Sequence, residues 1–263
     1  MQHTIIKQIT TSKNTLDYFH FGEGIRTLVI IPGLSLKSVM LSADAVVEAY
    51  QMFAKDFSVY VFDRAQKLHP GYTIEAMAQD TAEAMMELGL SDCCIFGASQ
   101  GGMIAQRIAI SHPNLVHRMI LGSTAPILNE HSRQLISKWI ESANQQQVVS
   151  LNHSIFTHLY SQQTLSLLAD QIALAEQEGS PEEMARFSIL ASACLPFNST
   201  KELSQINCPT LVIGAKNDRV LGAEASVELA KHIQCELFMY DGEHAVYDEA
   251  PDYKNRLMTF FIK

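Results

Sequence analysis

Gly97-Ala98-Ser99-Gln100-Gly101 lies between an apolar run and a helix-like one. It fits G-x-S-x-G, the pattern of a serine nucleophile on a sharp strand-to-helix turn. A glycine-rich structural turn also matches the bare pattern, so the flanks carry the weight. Before it, Cys93-Cys94-Ile95-Phe96 is a short apolar run that reads as a buried strand. After it, residues 102–110 read as a helix, and Pro113 stands where a helix stop is common. The chemistry needs this shape, because a serine hydroxyl that attacks a carbonyl must stand clear of the backbone and within reach of a base. The tight turn strains the serine and crowds the positions two before and two after, where glycine fits best.

At the N-terminal end, residues 4–21 suggest a β-hairpin, with turn residues at Ser12-Lys13-Asn14. Residues 27–31 read as a continuous apolar strand ended by Pro32-Gly33, residues 40–54 as helical, and residues 57–62 as a strand ended by Asp63. An amphipathic helix is predicted over 73–88, with Thr73 as N-cap and Gly89 as its stop. Met77, Met85 and Met86 on it read as core filler. Residues 116–122 are the next strand. Strands that alternate with helices predict an α/β fold, a mostly parallel central sheet flanked by helices.

The rhythm breaks after Thr124. Residues 129–203 contain no convincing strand and read as several helices, with breaks near Ser150-Leu151, Gly179-Ser180-Pro181 and Pro196. Glu182 and Glu183, just after Pro181, suit a helix N-terminus. The rhythm resumes with a strand at 209–214, a helix at 223–233, a strand at 235–240 and a terminal helix at 251–262. The expected organisation is therefore a core in two parts, 1–124 and 205–263, with a helical insert over 125–204. Loops at the carboxyl ends of parallel strands gather over the ligand crevice, so the insert is expected to form a cap.

Composition narrows the function classes. The 263 residues are 47% apolar and carry a formal net charge of -9. An acidic chain with no Lys/Arg cluster is a poor nucleic-acid binder and has little pull toward anionic membranes. No apolar run reaches the roughly 18 residues of a membrane span. The N-terminal residues lack the basic-then-apolar layout of a secretory signal. Cys93, Cys94, Cys194, Cys208 and Cys235 are odd in number and sit mostly in apolar contexts. They read as reduced core residues of a cytoplasmic protein. Cys93 and Cys94 should point to opposite faces of a strand, and no Cys-x-x-Cys or His-x-x-x-His spacing accompanies them, so no metal site is expected.

A serine nucleophile needs a base to take its proton and an acid to hold the base's tautomer. On a G-x-S-x-G elbow the chain order is serine, acid, histidine. Asp218, in the loop after the 209–214 strand, and His244, in the loop after the last strand, occur in that order. Both loops leave carboxyl ends of strands, on the edge that carries Ser99. Cys94 lies within its strand and is a poor nucleophile. His112 and His117 read as exposed. His131, His153 and His158 lie in the insert, where capping or solvated roles are commonest and contact with substrate is a further option. Ser35, after the Pro32-Gly33 turn, is a candidate to reach the pocket.

With these residues the chain resembles the α/β-hydrolase superfamily. More narrowly, it is similar to the capped group of esterases, lactonases, C–C bond hydrolases and cofactor-free haloperoxidases. The resemblance rests on Pro32-Gly33-Leu34, the Ser99 elbow, the 208–214 run with Asp218, and Gly242-Glu243-His244 with Glu249-Ala250-Pro251. It implies an oxyanion hole from the backbone N–H groups of Leu34 and Gln100. Some members place the acid after the strand ending at Leu121, but Gly122-Ser123-Thr124-Ala125 offers no carboxylate, which favours Asp218. Ile31-Pro32-Gly33 stands where many members carry His-Gly, and the run from Asp63 to His69 replaces a Gly-rich one. Asp63 and Arg64 read as structural.

The expectation is a serine hydrolase with Ser99, His244 and Asp218 as its triad. It would act through an acyl-enzyme on a small, partly apolar carboxylic ester or lactone, without cofactor or metal. C–C bond hydrolysis or perhydrolysis on the same triad is the nearest other chemistry. A ligand-binding protein that keeps the triad with little turnover is the reading from another class.

Overall fold

The alternating runs build one eight-stranded sheet in the computed structural model, which describes residues 3–263. Met1 and Gln2 of the expected first core segment lie outside the described residues. In chain order the elements are β1 (Lys7–Thr10), β2 (Thr15–Phe21), β3 (Arg26–Ile31), α1 (Ala43–Tyr50), β4 (Phe57–Ala65), α2 (Ile74–Glu87), β5 (Cys93–Ala98), α3 (Gln100–Ser111) and β6 (Val116–Gly122). Five helices follow: α4 (Glu130–Asn144), α5 (Val148–Leu159), α6 (Gln162–Leu167), α7 (Ala169–Ala175) and α8 (Pro181–Ser192). The chain closes with β7 (Thr210–Ala215), α9 (Ala223–Ile233), β8 (Glu236–Tyr240), α10 (Val246–Glu249) and α11 (Tyr253–Phe261).

The strand order is β1-β2-β4-β3-β5-β6-β7-β8. The β1–β2 hairpin and the β2–β4 pair are antiparallel, and every pair from β4 to β8 is parallel. β5 lies inside the sheet and is buried along its whole length. Its alternate side chains feed two apolar layers, as a pleated strand requires. Cys93 and Ile95 join the layer with α2, α3 and α9, whereas Cys94 and Phe96 join the layer with α1 and α11. The first layer continues into Leu135, Trp139, Met184 and Phe187 of α4 and α8, so these helices share a core with the sheet.

Local chemistry sets the helix ends. The Thr73 hydroxyl accepts from the Ala76 N–H at 3.2 Å, and Gly89 takes φ 70° past the end of α2. Ser180 and Glu183 form a reciprocal capping box that starts α8. An isolated bridge between Ile127 and Asn198, with Ser199 N–H on Pro126 O at 2.9 Å, holds the two ends of the α4–α8 segment side by side.

Three expectations are corrected. β4 does not end at Asp63 but continues through Arg64 to Ala65, which pairs with Leu16. The buried Arg64 finds polar partners, so its charge does not end the strand. The break expected near Ser150-Leu151 falls instead at residues 145–147, where Gln146 is left-handed at φ 57° and α5 runs through Ser150. Met77 and Met85 are core residues, but Met86 is 47% exposed because it lies on the outer face of α2.

Candidate active site

β5 delivers Ser99 to the carboxyl edge of the sheet, and α3 starts immediately after it. The turn leaves Ser99 at φ 51°, ψ −120°, a conformation that costs about 1–3 kcal/mol for a non-glycine residue. Its surroundings hold it there. Ser99 N–H donates to Gly122 O at 2.8 Å, and Ser99 O accepts from the Thr124 hydroxyl at 2.7 Å and from Gly102 N–H at 2.9 Å. The flanking glycines are required by space. A β-carbon at Gly97 would stand 2.5 Å from Gly101 O, and one at Gly101 would stand 2.0 Å from Ile31 O.

The loops after β7 and β8 bring Asp218 and His244 to this serine. His244 Nε2 lies 3.0 Å from Ser99 Oγ, and His244 Nδ1 lies 2.8 Å from Asp218 Oδ2. The other carboxylate oxygen, Oδ1, accepts the N–H groups of Val220 at 2.8 Å and Leu221 at 2.9 Å. Both carboxylate oxygens are therefore acceptors, so Nδ1 must carry the proton and Nε2 presents its lone pair to the serine hydroxyl. Burial pushes the Asp218 carboxyl up, but the His244 charge and the bonds from His244, Leu221 and Val220 outweigh it and leave it below its ordinary value. Asp218 and His244 are buried, and Ser99 is half-buried.

The turn after β3 backs onto the serine, since a β-carbon at Gly33 would lie 3.2 Å from Ser99 Cβ. The N–H groups of Leu34 and Gln100 donate to no backbone or side-chain acceptor among the described residues. From Gly33 and Leu34 a cleft of about 420 Å³ runs outward beneath α5. Leu34, Leu36, Val39, Ile155, Phe156 and Leu159 make its apolar walls, with Tyr160 and Tyr247 beside them. Ser99 and His244 are not among its lining residues, so the cleft adjoins the relay at the Gly33-Leu34 turn. Ser35 does line it, although its hydroxyl donates to Lys37 O at 2.6 Å. Lys37 pairs with Glu178 at the outer end.

The three histidines of residues 125–204 do not line the cleft. His131 bonds Arg219 O, His153 bonds Glu176, and His158 bonds Ser154 O. His117 is exposed beside Asp92, and His112 is partly exposed. Among the described residues no three His, Cys, Asp or Glu side chains converge as metal ligands would, and no helix is long and apolar enough to cross a membrane.

Two polar clusters tie α4–α8 to this edge of the sheet. On the histidine side, Ala245 N–H donates to Leu159 O at 2.9 Å, Arg219 Nη2 donates to Tyr160 O at 2.6 Å, and the Ser161 hydroxyl donates to Glu249 at 2.8 Å. On the Leu34 side, Arg186 of α8 donates to Ala65 O at 2.7 Å and pairs with Asp63 at 3.4 Å. Asp63 also accepts from the Ser38 hydroxyl at 2.5 Å, which fits its structural reading. The partners of Arg64 and of the Gln100 side chain went unread in the sequence, because a lone arginine near the end of a strand carries no periodic signal.

A family model described as alpha/beta hydrolase fold matches residues 27–251 of the chain. Among curated proteins, the chain is 28% identical to "Putative carbamate hydrolase RutD" of Rhizobium rhizogenes, over 80% of this chain and 84% of that protein. Among solved structures, it is similar to MGS-M2, an alpha/beta hydrolase enzyme from a deep-sea metagenome library, with TM-score 0.87, 22% identity and 98% of each chain covered. It is also similar to the enol-lactonase of Burkholderia xenovorans LB400, with TM-score 0.87 and 17% identity, over 98% of this chain and 100% of that one. At these identities the two structures speak for the fold alone.

Proposed function

The chain belongs to the alpha/beta hydrolase fold family, and from that premise we propose that it is a serine hydrolase acting on a small, partly apolar carboxylic ester or lactone. The observation that carries this reading is the continuous relay from Ser99 Oγ through His244 to Asp218, with contacts of 3.0 and 2.8 Å. In the proposed reaction His244 Nε2 takes the Ser99 proton as the oxygen attacks the carbonyl. Asp218 keeps the proton on Nδ1 and stabilises the imidazolium that forms. The Leu34 and Gln100 N–H groups receive the oxyanion, and losing one such donor costs about 2.7–4 kcal/mol. His244 then protonates the leaving group, and a water that it activates releases the acid from the acyl-enzyme. The reaction as proposed uses no cofactor.

In this reading the helices of residues 125–204 act as a cap over the crevice. The apolar walls of the cleft support an acyl group of moderate size, since pockets of roughly 300–1,000 Å³ suit small organic ligands. A carbamate is the second reading, favoured by the name of the RutD relative, because its carbonyl would meet the same nucleophile and donors. The test is turnover of p-nitrophenyl esters of increasing acyl length, of lactones and of simple carbamates, each with Ser99→Ala as control. The ester reading expects Ser99-dependent turnover with an optimum at intermediate acyl length. Ser99-dependent turnover of carbamates alone would replace it with the second reading.

A further inference from the structure

We propose that Arg64 is a positioning residue that aligns both oxyanion donors and couples them to α8. The inference rests on the serine-hydrolase reading and extends it to a side chain that the proton relay does not use.

Arg64 is the last residue but one of β4 and is 5% exposed. Its Nη2 donates to Pro32 O at 2.6 Å and to the Gln100 side-chain oxygen at 3.2 Å, and its Nε approaches that same oxygen at 3.4 Å. Pro32 stands two residues before Leu34, whose N–H is one proposed donor. Gln100 carries the other donor on its own backbone. One rigid, planar guanidinium therefore spans the two segments that form the hole. The brace continues upward, because the Gln100 amide nitrogen donates to Leu190 O of α8 at 2.7 Å and approaches Cys194 Sγ at 3.2 Å. Arg186 of α8 returns to the same strand end by donating to Arg64 O at 3.2 Å. The Pro32-Gly33-Leu34 turn is a loop, the kind of segment that is otherwise least fixed. Oxyanion donors act through being aimed before the charge develops, so a turn free to shift would forfeit much of their effect. A buried arginine is also costly unless its donors are satisfied, and here the groups that satisfy it are those whose placement matters.

The experiment compares Arg64→Met, Gln100→Met and the double variant with wild type in ester turnover, with thermal melting as the check on folding. Gln100→Met keeps the residue's length and its backbone N–H, so it carries the test if Arg64→Met fails to fold. Each folded single variant is expected to lose about 10- to 100-fold in kcat, as small misplacements of catalytic groups do. KM should stay within about 3-fold, the signature of an interaction made in the transition state. The acid limb of the kcat/KM profile should not move, because Ser99, His244 and Asp218 are untouched. The double variant should be no slower than the slower single, since both remove one brace. Arg64→Lys, which retains a donor for Pro32 O, should recover part of the loss. A folded Gln100→Met with kcat within about 2-fold of wild type, or losses that multiply in the double variant, would overturn the proposal. If wild type itself shows no Ser99-dependent turnover, the hydrolase reading fails and the brace falls with it, an outcome visible before any brace variant is made.

Discussion

Replacing Asp218 by Asn separates the geometry of the relay from its electrostatics. In the native site Oδ1 accepts two backbone N–H groups, from Val220 and Leu221, while Oδ2 faces His244 Nδ1. The two N–H donors dictate how an asparagine must sit. Its single oxygen has to stay with them, so its NH₂ group is turned toward His244 Nδ1. A donor facing Nδ1 forces the ring proton onto Nε2. Nε2 then donates toward Ser99 Oγ, 3.0 Å away, and no longer accepts its proton. Because side-chain size and backbone bonds are kept, the fold should survive while the base is lost. Holding the wrong tautomer costs a serine triad about 10⁴ in kcat, or about 5.4 kcal/mol of transition-state stabilisation. The assay is steady-state hydrolysis of the best p-nitrophenyl ester near neutral pH, with circular dichroism of both proteins. A folded Asp218→Asn variant whose kcat lies within about tenfold of wild type would refute the tautomer argument.

Gly101→Ala places a β-carbon 2.0 Å from Ile31 O and 2.5 Å from Pro32 O, both backbone atoms that cannot rotate away. It should cost about 1–3 kcal/mol or more in urea unfolding, and a change below about 0.5 kcal/mol would contradict the packing account. Burial pushes the thiols of Cys93 to about 12 and Cys194 to about 11. Burial raises Cys235 to about 11 as well, so access decides the order: Cys93, Cys94 and Cys194 are buried and Cys208 and Cys235 partly exposed, and native protein should show the latter two as the first sites in mass-mapped iodoacetamide labelling. Modification of Cys194 before unfolding would contradict this. Asp218, held below its ordinary value, contributes stability that is full above the unfolded carboxylate value of about 3.9 and is lost as pH falls through its depressed folded value. The wild-type advantage over Asp218→Asn in urea unfolding should thus shrink from about pH 6 to pH 3, and an advantage that grows on acidification would reverse the sign.

The elbow was legible in the sequence because three signals converge there: an apolar strand, a helix with a stop, and glycines where a β-carbon cannot fit. Asp218 and His244 were legible from chain order and from loops at the carboxyl ends of strands, and the structure brings both to Ser99. The helical character of residues 129–203 was readable from the lost strand rhythm, but the break at 145–147 was not. It is made by Gln146 in a left-handed turn, a conformation that glutamine does not advertise. The cleft walls were not readable either, because Ile155, Phe156 and Leu159 line it only through the way α5 packs over the Leu34 turn. Arg64 was read as structural, and its link between Pro32 and Gln100 exists only once β4, β3 and α3 are side by side.

In the proposed mechanism the His244–Asp218 pair activates Ser99 as the nucleophile. Treating native protein with a fluorophosphonate and locating the adduct by peptide mass tests it most directly. One adduct is expected, on Ser99, formed in wild type, absent in Ser99→Ala and strongly slowed in Asp218→Asn. An unlabelled Ser99 in folded wild-type protein would contradict it.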